Sequence, residues 1–119
     1  MNPAEALLRR WMDSGDHALL ADDLDWRVSP GYPVPRQRWR GRVEVESVFF
    51  PTLRQTFPVW RLCPAGFTPL ADGRLLAHGH YDAEDRRGRR GTVPFLHVWT
   101  VGNDRILGVE AVADFAAFA

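Results

Sequence analysis

Apolar positions near the start of the chain recur at helical spacing. Leu7, Leu8, Trp11 and Met12 fall on one stripe of a helix that opens at Asn2-Pro3, with asparagine as cap, proline in the first turn and Glu5 just inside. Gly15 ends this helix, and Asp16 is placed to cap a second short one through His17, Ala18, Leu19, Leu20 and Ala21. The period then shortens: Leu24 to Val28 reads as a strand following the acidic pair Asp22-Asp23. Ser29 to Arg40 holds Pro30, Gly31, Pro33 and Pro35 and reads as a loop. After Gly41, the residues Val45, Val48, Phe49 and Leu53 share one face of a third helix. Pro51 should kink it, because proline lacks the N–H that a helix interior needs.

From Val59 onward the pattern is that of strands. Extended runs cover Val59 to Leu70, Arg74 to Glu84, Arg89 to Val101 and Arg105 to Phe115. Turns separate them at Asp72-Gly73, Asp85 to Gly88 and Gly102-Asn103-Asp104. Helices first and an antiparallel meander after them predict an α+β architecture, with the helices on one face of a curved sheet.

The length of 119 residues fits one domain, residues 1 to 119, and 45% apolar residues exclude disorder. Fifteen basic and fifteen acidic residues cancel, which argues against nucleic acid or a membrane surface as partner. The arginine clusters at 36–42 and 86–90 read as solvated loop charge. Cys63 is the only cysteine, so no intrachain disulfide can form. Met1 to Asp16 carries charges throughout and reads as neither signal peptide nor membrane span; the expected location is cytoplasmic. No cofactor is expected.

Several short motifs occur in a telling order. They are Ser14-Gly15-Asp16, Ala21-Asp22-Asp23-Leu24-Asp25-Trp26, Arg40-Gly41-Arg42 with Val48-Phe49-Phe50, and Gly79-His80-Tyr81. The last are Val93-Pro94-Phe95-Leu96-His97-Val98-Trp99 and Ala113-Asp114-Phe115. Together they resemble the SnoaL-like branch of the nuclear-transport-factor-2-like superfamily, which includes ketosteroid isomerases. The resemblance implies a cone-shaped curved antiparallel or mixed sheet packed against N-terminal helices (a cystatin-like α+β barrel). It also implies an apolar cavity between sheet and helices, and a homodimer. One fold hosts many chemistries, so the activity must be read from the site.

Ketosteroid isomerase chemistry needs a carboxylate base, a tyrosine and a neutral carboxylic acid. By the resemblance those positions hold Val28 and Leu96, and the first helix has no tyrosine. Steroid isomerisation by that mechanism is therefore not expected. His78 and His80 stand two apart on a strand and share a face. Counting along the resemblance turns them into the cavity, with Gly79 and Tyr81 pointing away, and makes them candidates for general acid–base catalysis together with Asp114. Two histidines alone do not complete a zinc site, and no third ligand stands at motif spacing, so no metal is expected. Asp16 and Asp25 have acidic counterparts in some relatives, but read here as a helix cap and an exposed strand residue. Arg74 and Asp82 stand too far apart on one strand for an epoxide-hydrolase arrangement.

The same register places Leu96 and Val98 on the cavity wall, joined by Trp26, Tyr32, Trp39 and Phe49 as ligand-binding residues. It turns Phe95, His97, Trp99 and Val101 outward, where a second subunit would cover them. Two functions follow. One is a small-molecule enzyme performing proton transfer (cyclisation, isomerisation or elimination) on an apolar ligand. The other is a non-catalytic ligand-binding or dimerisation module.

Overall fold

The computed structural model describes residues 2–119. Helix α1, Pro3–Ser14, is capped as expected: Asn2 Oδ1 accepts from the Ala4 N–H at 2.8 Å. Asp16 caps only a single 3-10 turn, His17–Leu19, and strand β1 already begins at Leu20, running Leu20–Val28. The proline-rich stretch is a loop only to Gln37. Arg38–Arg40 forms a short strand, β2, which pairs antiparallel with β1, setting Trp39 opposite Trp26.

The second helix spans 42–56 and answers Pro51 in a specific way. Its middle, Val45–Phe49, widens to a π turn in which the Phe50 N–H reaches back to the Val45 carbonyl, and Phe50–Thr56 continues as α-helix. A wide turn relieves the ring of a proline that cannot donate. The extra residue also shifts the inward stripe. Val45, Phe49, Phe50 and Leu53 are buried, while Val48, expected on that stripe, is 44% exposed.

Strands β3 (Val59–Pro69), β4 (Leu75–Glu84), β5 (Arg90–Gly102) and β6 (Arg105–Ala113) form the meander, and a last 3-10 turn covers Ala116–Phe118. The β5–β6 turn carries Asn103 and Asp104 at φ 53° and 56°, the left-handed pair that a tight hairpin requires. The sheet order is β2-β1-β6-β5-β4-β3, antiparallel except for the parallel pair β1 and β6. Asp25 lies opposite Gly108, where an added Cβ would stand 2.9 Å from the Asp25 carbonyl oxygen. The sheet is mixed, curved and unclosed, with β2 and β3 at its two edges.

Strand alternation corrects the expected faces. On β4 it is Leu75, Ala77, Tyr81 and Ala83 that are buried; on β5 it is Val93, Phe95, His97 and Trp99. His78, His80, Leu96 and Val98 lie on the opposite, outer face, with Leu96 52% exposed. Every pairing of residues on a face holds, but inside and outside are exchanged. A two-residue period fixes which side chains travel together and not which way they point. Packing decides the direction: the larger aromatic set fills the core against the helices. Among the described residues, no helix is long and apolar enough to cross a membrane.

Candidate functional site

Three buried polar residues meet inside an otherwise aromatic core. Tyr81 comes from β4, His97 from β5 and Tyr32 from the loop after β1. The Tyr32 and Tyr81 hydroxyls are 2.8 Å apart, and the Tyr81 hydroxyl is 2.6 Å from His97 Nε2. Tyr81 lies opposite Val93 and His97 opposite Ala77, so the two are four positions apart in register, and their long inward side chains lean along the inner face of the sheet to meet. Trp60 stacks on Tyr81 with ring centres 4.0 Å apart, and Phe95 stacks on His97 at 4.0 Å.

Burial fixes the charge of this chain. His97 is 3% exposed and its pKa falls to about 3, so the ring is neutral near pH 7. Burial also pushes both tyrosine hydroxyls up, so all three groups stay uncharged. Either imidazole tautomer fits the distances. With the proton on Nε2, His97 donates to Tyr81, Tyr81 donates to Tyr32, and the Tyr32 O–H is free. With the proton on Nδ1, every bond in the chain reverses.

The chain borders a small cavity of about 20 Å³, room for one water molecule. Its wall includes Trp11, Trp26, Trp99, Phe49, Phe50, Trp60 and Leu62. The last two, both on edge strand β3, are its only partly exposed wall residues. Four buried nitrogens on this wall have no hydrogen-bond partner among the described residues: His97 Nδ1 and the indole N–H groups of Trp11, Trp26 and Trp99. Unpaired buried polar groups are costly; the three indole N–H groups are donors that a ligand with acceptor oxygens would satisfy, while His97 Nδ1 donates or accepts according to the tautomer.

Of the residues expected from the sequence, Trp26, Tyr32 and Phe49 line the cavity, whereas Trp39 is buried behind Phe49. Leu96 and Val98 are on the outer face, away from it. The inward placement of His78 and His80 is overturned by the same exchange of faces. Asp114 is exposed at the end of β6 and accepts from the Ala116 N–H at 2.9 Å, capping the final turn. Asp16 is likewise a cap, and Asp25 pairs with Arg38 at 3.2 Å on the surface. Asp82 points outward, so no carboxylate faces Arg74 across the cavity. Tyr81, His97, Trp60 and Trp99 were missed as wall residues. For His97 and Trp99 the signal is the Phe95-His97-Trp99 alternation on β5, whose inward direction only the packing against the helices sets.

No protein-family model matches the sequence, and no curated protein matches it. Solved structures do. A protein of unknown function from Burkholderia pseudomallei K96243, described as NTF2-like, superposes with a TM-score of 0.85 at 25% identity, over 99% of this chain and 95% of that one. The chain has the NTF2-like fold. An NTF2-like protein from Burkholderia thailandensis E264 agrees at TM-score 0.78 and 21% identity, over 96% of this chain and 92% of that one. TerC, co-crystallised with polyporic acid, has a TM-score of 0.78 at 22% identity, over 98% and 92% of the two chains. A candidate SnoaL-like polyketide cyclase from Jannaschia sp. CCS1 reaches TM-score 0.77 at 13% identity, over 98% and 88%. At the level of fold, the SnoaL-like resemblance read from the sequence therefore stands. The NTF2-like cone encloses the cavity, and the Tyr32–Tyr81–His97 chain borders it.

Proposed function

We propose that this NTF2-like protein binds a flat, mostly apolar molecule bearing oxygen acceptors and moves protons on it through Tyr32, Tyr81 and His97. The observation that carries this reading is the hydrogen-bonded chain of three uncharged groups in an aromatic cavity. His97 Nδ1 removes a proton from carbon beside a carbonyl. The Nε2 proton passes to Tyr81, the Tyr81 proton to Tyr32, and the Tyr32 proton to the carbonyl oxygen. An enol results and the protein carries no net charge at any stage. Reversal onto a different carbon completes an isomerisation and restores the first tautomer. Moving charge through a neutral relay suits an apolar site, where an isolated ion is expensive.

A non-catalytic binding module is favoured by one observation, the cavity of about 20 Å³. A larger ligand must displace wall residues, and the partly exposed Trp60 and Leu62 mark the side that yields. A second copy of the chain is proposed to cover the outer face around Leu96 and Val112, which are 52% and 55% exposed. A cytoplasmic location, consistent with the lone free Cys63, is part of the same proposal.

Two probes separate these readings. Polyporic acid, the compound in the TerC crystals, tests binding through quenching of tryptophan fluorescence. A flat bicyclic ketone, 2-tetralone, tests proton transfer through deuterium uptake from heavy water. Wild-type protein should accelerate the uptake, and His97→Gln and Tyr81→Phe should lose about 10²-fold or more. Binding without exchange would establish the module instead, and neither binding nor exchange would defeat both.

A further inference from the structure

The two outward histidines leave one cluster unexplained by the cavity. On the outer face Cys63 of β3 lies directly opposite His80 of β4, and Asp82 follows two residues on along the same strand. Cys63 Sγ is 3.4 Å from Asp82 Oδ2, and His80 Nε2 is 3.3 Å from Asp82 Oδ1. One donor atom from each residue fits within a span of 4.8 Å. We propose that Cys63, His80 and Asp82 bind a transition-metal cation, zinc by donor type, with the fourth position open to solvent.

The donors already stand near bonding geometry, and closing their span of 4.8 Å onto one ion takes small side-chain rotations. Bonds of ~2.3 Å to sulfur and ~2.0–2.2 Å to nitrogen and oxygen give a tetrahedron whose edges are roughly 3.4–3.6 Å. The separations of His80 Nε2 from Asp82 Oδ1, 3.3 Å, and of Cys63 Sγ from Asp82 Oδ2, 3.4 Å, are each close to such an edge, one to either carboxylate oxygen. Thiolate, imidazole and carboxylate together select zinc over magnesium or calcium, which prefer oxygen alone. His80 and Asp82 have 41% and 52% exposed side chains, so an ion reaches them from solvent.

The backbone holds the three donors in place. Residue 65 forms a bulge in β3, and Gly79 accommodates it: a Cβ there would clash with the Cys63 carbonyl oxygen. That contact fixes the height of Cys63 beside His80. The Cys63 thiol donates its proton to Asp82 Oδ2. A cation at the centre of the cluster takes the place of that proton. The sequence hides the site because its third ligand is on the neighbouring strand rather than at motif spacing.

The test uses the full chain with cobalt(II) as a zinc surrogate, under a non-thiol reductant. Wild-type protein should show a saturable thiolate-to-cobalt charge-transfer band at one ion per chain, abolished by added zinc. Cys63→Ser should remove the band. His80→Gln and Asp82→Asn should each weaken binding at least tenfold, while His17→Gln, away from the cluster, should bind as wild type does. Amide dispersion in proton NMR confirms that each variant is folded. No band at excess cobalt, or unchanged midpoints in both His80→Gln and Asp82→Asn, would overturn the site.

Discussion

At His97 the burial of one imidazole sets a pH dependence. The folded protein holds the ring neutral with a pKa near 3, while in the unfolded chain it titrates at about 6.5. Below pH 6.5 the unfolded state binds a proton that the folded state refuses. Stability from this residue is thus complete above pH 6.5 and falls as pH drops towards 3, by up to about 1.4 kcal/mol per pH unit. Urea unfolding from pH 7 to 5.5, above most carboxylate titration, should show wild type losing more stability than His97→Phe. Parallel curves for the two proteins would contradict the assigned burial. Much at this scale was legible beforehand: the caps at Asn2 and Asp16, and Trp26, Tyr32 and Phe49 near the cavity. The role of His97 was not, because alternation groups it with Phe95 and Trp99 without saying which face meets the helices.

Element boundaries follow local chemistry where that chemistry is unambiguous, as at Asn2-Pro3 and Asn103-Asp104. They depart from it where a partner strand decides. Arg38–Arg40 carries no strand signal beyond its neighbours, yet β1 offers it a free edge. The Pro51 kink was readable, but its form as a π turn, which brings Phe50 inside and leaves Val48 out, depends on the packed core. The β3–β4 pair shows the tightest local demand. Gly79→Ala would press a methyl group against the Cys63 carbonyl and the bulge beside it. We expect a loss of roughly 1–3 kcal/mol in urea unfolding, with faster amide exchange concentrated on β3. Undiminished stability would mean that the bulge relaxes freely.

For the whole molecule, the α+β order and the curved sheet were legible from helical periods giving way to strand periods. The resemblance left the sheet antiparallel or mixed, and the parallel pairing that makes it mixed was not legible, since nothing in the residues of β1 names β6 as its neighbour. The exchange of faces also relocates the proposed subunit contact. Leu96→Glu should convert a dimer to folded monomers in analytical ultracentrifugation, because the residue is already half exposed in a single chain. Trp99→Glu, by contrast, would bury a charge in the core and unfold the protein. A wild-type monomer at micromolar concentration would remove the dimer proposal. The parallel pairing of β1 with β6 has a consequence for the order of assembly. Asp25 finds Gly108 only after more than eighty further residues have been made. During synthesis the β3–β5 meander can form from local hairpins, while β1, paired with β2 on one side, waits for β6 with its other edge unsatisfied. Joining ends so distant is an entropic barrier paid late, so the slow step in folding should be the docking of the N-terminal third onto a finished meander.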